Sequence, residues 1–285
     1  IGDNHIGDWG TQFGKLVYAI KTWGGEANLK NYTLRSLYSL YVKFHQEAEK
    51  NPAIKAEGRR WFERLEKGDK QARKIWKECV KISLREFEKI YDILGVNFDL
   101  VLGESFYEPM LKEIIAEAEK KGAAKKSQGA LIMPFQDESL PPLLIQGSDG
   151  ATLYATRDLA ALKYRLEKLK ADKIIYEVGS EQTLYFRQLF RAAEILGWTG
   201  RENLIHISHG LMRLKTGKMS TRKGEIVFLE DVLKEASARA KKIIEEKNPN
   251  LKSKEKIAGI ELEPDFGVGN AIYENSTLEF IAHNF

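Results

Sequence analysis

Residues 204–224 read LIHISHGLMRLKTGKMSTRKG, a short apolar strand pattern followed by a basic loop. The loop carries five cationic side chains between positions 213 and 223, together with Ser220, Thr221, Gly217 and Gly224. Cations and hydroxyls donate to phosphate oxygens, and glycine lets a backbone bend around an anion. Because open α/β sheets bind ligands at the carboxyl ends of their strands, this stretch predicts a polyphosphate site at a sheet edge. Charge alone would favour a solvated basic loop.

The sequence before this stretch alternates between strand and helix patterns. Gly147-Ser148-Asp149-Gly150 predicts a hairpin turn, since Asp-Gly pairs favour such turns. We predict strands at 129–135, 142–146, 151–155, 173–178 and 204–208, and helices at 158–169 and 182–196. The β-α-β-α-β run that begins at residue 151 is typical of half of a parallel nucleotide-binding sheet with right-handed crossovers. The predicted fold class is therefore α/β.

Residues 29–126 change to highly charged helical patterns. We predict helices that begin near Leu34, at Ile54 and after Asp69, which is a good N-cap, with Gly95 ending the third. A short strand at 97–102 and a helix opened by a capping box at Ser105 follow. This region is interpreted as a mostly helical insertion. Residues 1–14 are rich in glycine and predict a loop, with a helix from about Thr11.

Composition limits the class of protein. The 285 residues carry a net charge of +4, which permits a polyanionic partner without requiring one. The single Cys79 excludes an internal disulfide framework, and its helical surroundings predict a core thiol. The sequence has no apolar run of transmembrane length and no signal peptide at its start. We predict a cytoplasmic protein that makes no membrane contact.

Several familiar motifs fail here. The loop is not a P-loop, because Met212 stands where the first glycine should be. Gly267-Val268-Gly269 lacks the third glycine of a dinucleotide fingerprint. His206 and His209 have no placed partners for a metal site, so we predict that His206 is packed, that His209 forms hydrogen bonds in a loop, and that no metal centre exists.

Two further stretches place polar groups where a predicted strand meets a helix. Ser180 and Gln182 open a helix whose free N–H groups suit an anion, although Ser180 as a plain N-cap is the alternative. Tyr154 and Asp158 present a phenol and a carboxylate, which suit a guanidinium or ammonium group. The alternative makes Asp158 an N-cap and Tyr154 a core residue.

Four ordered motifs carry a resemblance to a known family. They are GDWGTQFG at 7–14, LYATRD at 153–158, GSEQ at 179–182 and KMSTRKG at 218–224. The last resembles the KMSKS signature of class I aminoacyl-tRNA synthetases, and together the motifs are similar to those of arginyl-tRNA synthetases. The resemblance extends from residue 1 to about 257. It implies a Rossmann-like catalytic domain with an inserted helical segment.

The resemblance also implies a reaction and roles for residues. ATP, with Mg²⁺, and L-arginine would give arginyl-adenylate, and the arginine would pass to tRNA(Arg), with no bound prosthetic group. Tyr154 and Asp158 would hold the guanidinium, and Gln182 the rest of the amino acid. The adenine would be bordered by His209, Gly210, Leu211 and Met212. The loop would bind ATP through Lys218, Met219 and Ser220, and Lys218, Arg222 and Lys223 would neutralise charge on the leaving pyrophosphate.

The sequence departs from the family pattern in two places. Thr221 replaces a lysine of the signature, and His5-Ile6-Gly7-Asp8 only imitates the other class I signature, HIGH, which lies further upstream in the family. We therefore expect an incomplete ATP site and little or no activation by these 285 residues alone. Predicted domains are catalytic segments at 1–28 and 127–230, with the signature loop at 213–224, the insertion at 29–126, and a helical segment at 231–285 that leads toward an anticodon-binding domain. We expect a monomer.

A second hypothesis comes from a different functional class. Mild basicity and the lack of the HIGH segment would also suit a non-catalytic RNA-binding or interaction module derived from a class I synthetase. Full tRNA affinity without ATP binding would favour it.

Overall fold

The computed structural model describes residues 1–136, 140–210 and 226–247. The described chain divides into two compact units. The first contains residues 1–9 and 98–210, and the second contains residues 10–97 and 226–247. Most of the predicted signature loop and the segment 248–285 lie outside the described residues.

The first unit contains three small sheets and the helices that cover them. Its elements are β1 (Asp3–Ile6), β2 (Leu100–Gly103), α5 (Glu104–Tyr107), α6 (Leu111–Lys120), β3 (Lys125–Ser127), β4 (Ala130–Met133), β5 (Leu143–Gln146), α7 (Tyr154–Glu167), β6 (Ile174–Gly179), α8 (Thr183–Ile195) and β7 (Leu204–His209). Strand β1 pairs with β2 in parallel, and β6 pairs with β7 in parallel. Strands β3, β4 and β5 form an antiparallel sheet. The predicted α/β class is confirmed.

The crossover from β6 through α8 to β7 determines where the site lies. In β6, Ile174, Tyr176 and Val178 are buried and alternate with less buried residues, as expected for a strand with one covered face. Helix α8 packs Leu189 and Phe190 into the same core. Because the two strands are parallel, their carboxyl ends meet at one edge, with Gly179 opposite His209. This half of the predicted β-α-β-α-β run is confirmed to within a residue or two at each boundary.

In the other half of the predicted run, the helix at 158–169 is confirmed as α7, but the strand at 151–155 is wrong. No strand occupies 151–155, because helix α7 begins at Tyr154, four residues earlier than predicted. The carbonyl of Leu153 accepts hydrogen bonds from the N–H of Thr156 and of Arg157, and the Thr156 hydroxyl donates to the Ile145 carbonyl. The hairpin turn does form, but it ends in a single bridge between Gln146 and Thr152.

Strand β1 was not predicted from the sequence. The pattern of residues 1–14 predicted a loop there, and this prediction is wrong for Asp3–Ile6. All four of its residues are buried, and three of them, Asp3, Asn4 and His5, are polar.

The predicted capping box at Ser105 is wrong as well. Helix α5 has Gly103 at its N-cap, and Ser105 instead donates its N–H and its hydroxyl to Asp8, at 2.8 and 2.6 Å.

The second unit is helical. Its helices are α1 (Thr11–Ala19), α2 (Leu34–Lys50), α3 (Ala53–Glu66), α4 (Lys70–Leu94) and α9 (Leu229–Lys247). The predicted caps of α4 are confirmed: Asp69 accepts from the N–H of Gln71 and of Ala72, and Gly95 ends the helix in the left-handed conformation. Cys79 is a core thiol, as predicted, and burial raises its pKa to about 12.

Helix α9 begins beside α2. The guanidinium of Arg35 donates to Asp231 at 2.6 Å and lies 4.0 Å from the centroid of the Phe228 ring. Arg35 and Asp231 are both half exposed, so solvent screens the ion pair and it adds little to stability. The Arg35–Phe228 stacking adds an apolar contact to this junction. In the described part of the chain, no helix is long and apolar enough to cross a bilayer.

The edges of the compact units differ from the predicted domain boundaries. Residues 98–126, predicted to belong to the insertion, contribute β2 and α6 to the first unit. Tyr107, Leu111 and Ile114 are buried in its core. Residues 10–28, predicted to be catalytic, lie in the helical unit. Compactness alone does not assign a role to either unit.

Close packing of α1 against α3 depends on Gly14. A Cβ atom there would lie 2.2 Å from the Gly58 carbonyl oxygen and 2.6 Å from the Phe62 backbone nitrogen. Since neither backbone atom can rotate away, Gly14→Ala must push the helices apart. We expect a loss of about 1–3 kcal/mol of unfolding free energy in urea denaturation. Lys55→Ala, at an exposed position of α3, serves as the control, and equal stability of the two variants would contradict the prediction.

Candidate active site

The carboxyl ends of β6 and β7 bring two of the predicted residues to one edge of the first unit. His209 ends β7 directly opposite Gly179, and a short turn at Ser180–Gln182 leads from β6 into α8. Gln182 is partly buried and stands immediately before the first residue of the helix. Its position beside a helix amino terminus suits contact with an anionic group.

Tyr154 and Asp158 lie one turn apart on the first part of α7 and therefore share a face. The Tyr154 side chain is 49% exposed, whereas that of Asp158 is 21% exposed. Burial raises the pKa of the Tyr154 hydroxyl, and the nearby Asp158 carboxylate raises it further. Tyr154 is thus protonated at neutral pH, when it can donate a hydrogen bond.

Helix α8 brings a second tyrosine to this carboxylate. The Tyr185 hydroxyl donates a hydrogen bond to Oδ2 of Asp158. The rings of Tyr154 and Tyr185 lie 4.9 Å apart at an angle of 55°. The two aromatic rings and the carboxylate form a compact group that presents the features needed to bind a planar cation. Tyr185 was not among the predicted site residues.

Strand β1 approaches the same carboxylate from another direction. Nε2 of His5 lies 3.6 Å from Oδ1 of Asp158, and the His5 side chain is only 7% exposed. The His5 ring lies 5.6 Å from that of Tyr107. In the sequence, His5 stands out only because residues 5–8 imitate a signature motif.

Further carboxyl groups lie close to His5 and Asp158. Nε of Arg157 donates to Glu108 at 2.7 Å and lies 3.7 Å from Glu104. Burial raises the pKa of Glu104 to about 8; Arg157 opposes this, and Asp158 adds to it. Burial likewise raises the pKa of Asp8, although the two hydrogen bonds from Ser105 oppose it. Because Glu108 holds the closer contact with Arg157, we assign Glu104 as the protonated carboxyl at neutral pH.

This assignment predicts a pH dependence of stability. The folded protein holds a proton on Glu104 up to about pH 8, whereas in the unfolded chain the same carboxyl ionises near its ordinary pKa of 4.5. The stabilisation is therefore fully present below pH 4.5 and is lost as the pH rises through 8. Each pKa unit corresponds to about 1.4 kcal/mol. Glu104→Gln should remove this loss and melt at a higher temperature than the wild type at pH 9.

The matched control is Glu119→Gln, the same substitution at an exposed position of α6. It should leave the melting temperature and its pH dependence unchanged. Calorimetry of the wild type and both variants between pH 5 and 9 provides the measurement. Parallel pH curves for the wild type and Glu104→Gln would show that Glu104 is ionised in the folded protein at neutral pH.

Some of the other predicted residues lie within the described ranges, and the rest lie outside them. His206 is packed, as predicted: its ring stacks on Phe186 with centroids 4.6 Å apart, and Nε2 lies 2.9 Å from the Val178 carbonyl oxygen. Nδ1 of His209 lies 3.1 Å from the carbonyl oxygen of Gly210, and Gly210 is an exposed residue. The remaining predicted ATP and phosphate contacts lie outside the described residues: Leu211, Met212, Lys218, Met219, Ser220, Arg222 and Lys223. Within the described ranges, no three His, Cys, Asp or Glu side chains cluster as metal ligands would.

Comparisons with known proteins give this arrangement a context. The family model described as tRNA synthetases class I (R), catalytic domain, matches residues 1–276. The arginine–tRNA ligase of Halothermothrix orenii is 46% identical over 274 residues, which cover 96% of this chain and 48% of that protein. The arginine–tRNA ligase of Clostridium perfringens is 47% identical over 255 residues, which cover 90% of this chain and 45% of that protein. The chain thus spans about half the length of the curated relatives that it matches.

Solved structures agree on the fold. Arginyl-tRNA synthetase from Plasmodium falciparum is 30% identical with a TM-score of 0.68, over 86% of this chain and 40% of that one. The Thermus thermophilus arginyl-tRNA synthetase has a TM-score of 0.65 at 22% identity, over 90% of this chain and 49% of that one, which supports the fold alone.

The parallel β-α-β crossover and the family match together define the catalytic domain of a class I aminoacyl-tRNA synthetase. Within that class, the chain belongs to the arginyl-tRNA synthetase family.

Proposed function

We propose that the protein containing this chain is an arginine–tRNA ligase, which activates L-arginine with ATP and transfers it to tRNA(Arg). The observation that carries the proposal is the Asp158 carboxylate, which accepts a hydrogen bond from Tyr185 and shares its helix face with Tyr154. A carboxylate beside two aromatic rings suits a guanidinium, because the planar cation can pair with the oxygens and stack on a ring. The relatives named arginine–tRNA ligase support the same substrate.

We propose the following division of roles. Asp158 and Tyr154 bind the guanidinium of arginine, and Gln182 binds the rest of the amino acid from the adjacent strand end. His209, Gly210, Leu211 and Met212 follow one another in the sequence, and we propose that these four residues border the adenine of ATP. The ligand set is compatible with a reaction in which the arginine carboxylate attacks the α-phosphate and pyrophosphate leaves.

The signature loop would bind ATP and stabilise the departing pyrophosphate. Lys218, Met219 and Ser220 would contact ATP, while Lys218, Arg222 and Lys223 would neutralise negative charge that grows on the departing pyrophosphate, an electrostatic stabilisation of the transition state. ATP enters with Mg²⁺ as substrate. The cationic side chains in the sequence of this loop support this role.

The remaining assignments are also proposals. Residues 1–28 and 127–230 would form the catalytic domain, 29–126 the insertion, and 231–285 the start of a connection to an anticodon-binding domain. The family suggests tRNA(Arg) as the partner, and we propose that the protein acts as a monomer in the cytoplasm.

The test is amino-acid-dependent exchange of pyrophosphate into ATP by the complete protein in which this chain occurs. Arginine should drive the exchange, and the other nineteen amino acids should not. Equal exchange with another amino acid would refute the proposed substrate. If the protein bound tRNA(Arg) tightly but neither bound ATP nor catalysed exchange, it would be the non-catalytic RNA-binding module instead.

A further inference from the structure

The Asp158 carboxylate is approached at both of its oxygens by side chains from different elements. Tyr185 on α8 donates to Oδ2, and His5 on β1 lies 3.6 Å from Oδ1. The His5 side chain is buried, whereas the carboxylate remains 21% exposed. The hydrogen bond from Tyr185 restricts the rotation of the carboxylate about its last bond, and the buried His5 ring limits the space on the other side. Asp158 is therefore oriented before any ligand arrives.

Orientation matters because a guanidinium binds a carboxylate best in one plane. Two parallel N–H···O bonds form only when both oxygens face the planar fork, so a carboxylate already turned to that plane loses little freedom on binding. Tyr185 also supplies a surface, since its ring lies 4.9 Å from that of Tyr154. Its edge-to-face contact with Phe186, at 5.6 Å, connects that surface to the core.

The position of Tyr185 in the chain adds a second connection. It stands three residues after Gln182, which is the N-cap of α8, whereas Tyr185 lies in the first turn of that helix. Gln182 is proposed to bind the common part of the amino acid, and Tyr185 contacts the group proposed to read its side chain. One helical turn thus sets the distance between the two contacts.

We propose that Tyr185 is a positioning residue for arginine specificity: its hydroxyl orients Asp158, and its ring forms one wall of the guanidinium site. The inference rests on the proposed function and deepens it. Tyr185 need not contact ATP, so its effect should be confined to arginine.

The test compares Tyr185→Phe with the wild type in the complete protein, by pyrophosphate exchange. Phenylalanine keeps the ring and removes only the hydroxyl. We expect the KM for arginine to rise roughly tenfold, the size typical of a lost hydrogen bond to a charged group, with kcat and the KM for ATP unchanged. Tyr185→Leu, which also removes the ring, should raise the KM for arginine further. Calorimetric titration with arginine should show the same order of affinities.

Tyr164→Phe is the matched control, because Tyr164 lies on α7 and packs against Phe106 and Tyr107. It should leave the KM for arginine unchanged. A wild-type KM for arginine in Tyr185→Phe would overturn this inference, as would a lower melting temperature accompanied only by a fall in kcat. If the wild type showed no arginine-dependent exchange, the proposed function would fail, and this inference with it. The two failures are thus distinguishable.

Discussion

Asp158→Ala is expected to raise the KM for arginine by at least about thirtyfold in the complete protein, with the KM for ATP unchanged. Removing one partner of a hydrogen-bonded charge pair costs about 2–5 kcal/mol or more, and every 1.4 kcal/mol is about tenfold in affinity. Tyr185 would lose its acceptor in the same variant. Pyrophosphate exchange at varied arginine, and separately at varied ATP, measures the two constants.

Two further variants give this prediction its controls. Asp158→Asn keeps an acceptor for Tyr185 but removes the charge, and it should lose nearly as much arginine affinity as the alanine variant. Asp172→Ala removes an exposed carboxylate in the turn between α7 and β6, and it should behave as wild type. An Asp158→Asn enzyme with normal affinity for arginine would show that charge at this position does not select the substrate.

The elements that the sequence predicted well are those whose signals are local. Strand β6 has alternating buried apolar residues, strand β7 begins with Leu204 and Ile205, and α4 has Asp69 at one end and Gly95 at the other. Strand β1 gave no such signal, because the partners of its polar residues are distant in the sequence. Asp3 contacts a residue 162 positions away, and no periodicity reveals such a pairing. The wrong strand at 151–155 had a similar cause, since the helix start is stabilised partly by Thr156 bonding to Ile145.

The residues of the candidate site also differ in how readily the sequence reveals them. Tyr154 and Asp158 were found because a polar motif at an element boundary is visible in sequence. Tyr185 and His5 were missed, because one has the spacing of a core residue and the other precedes a glycine-rich stretch. Only folding places their side chains against Asp158. Sequence reasoning thus predicted the carboxylate but missed the two side chains that approach it.

Arg165→Met is expected to be the most destabilising of the substitutions considered. Nε of Arg165 donates to Asp3 at 2.9 Å, and the two side chains are 2% and 0% exposed. The guanidinium also lies 5.3 Å from the centroid of the Tyr176 ring. Removing one partner of a buried ion pair leaves an uncompensated charge and typically costs about 3–5 kcal/mol. Urea denaturation gives the loss, and hydrogen exchange in β1 and α7 should locate it in the first unit.

The double variant Asp3→Asn with Arg165→Met separates the cost of a stranded charge from the value of the pair. Without the Arg165 guanidinium, the buried Asp3 carboxylate in Arg165→Met loses its cationic partner. Asparagine has nearly the same shape and no charge, so the double variant should recover much of the stability lost in the single one. Lys168→Met, an exposed change at the end of α7, should stay within about 0.5 kcal/mol of wild type. If the double variant were as unstable as Arg165→Met, the loss would come from the packing of the Arg165 side chain and not from its charge.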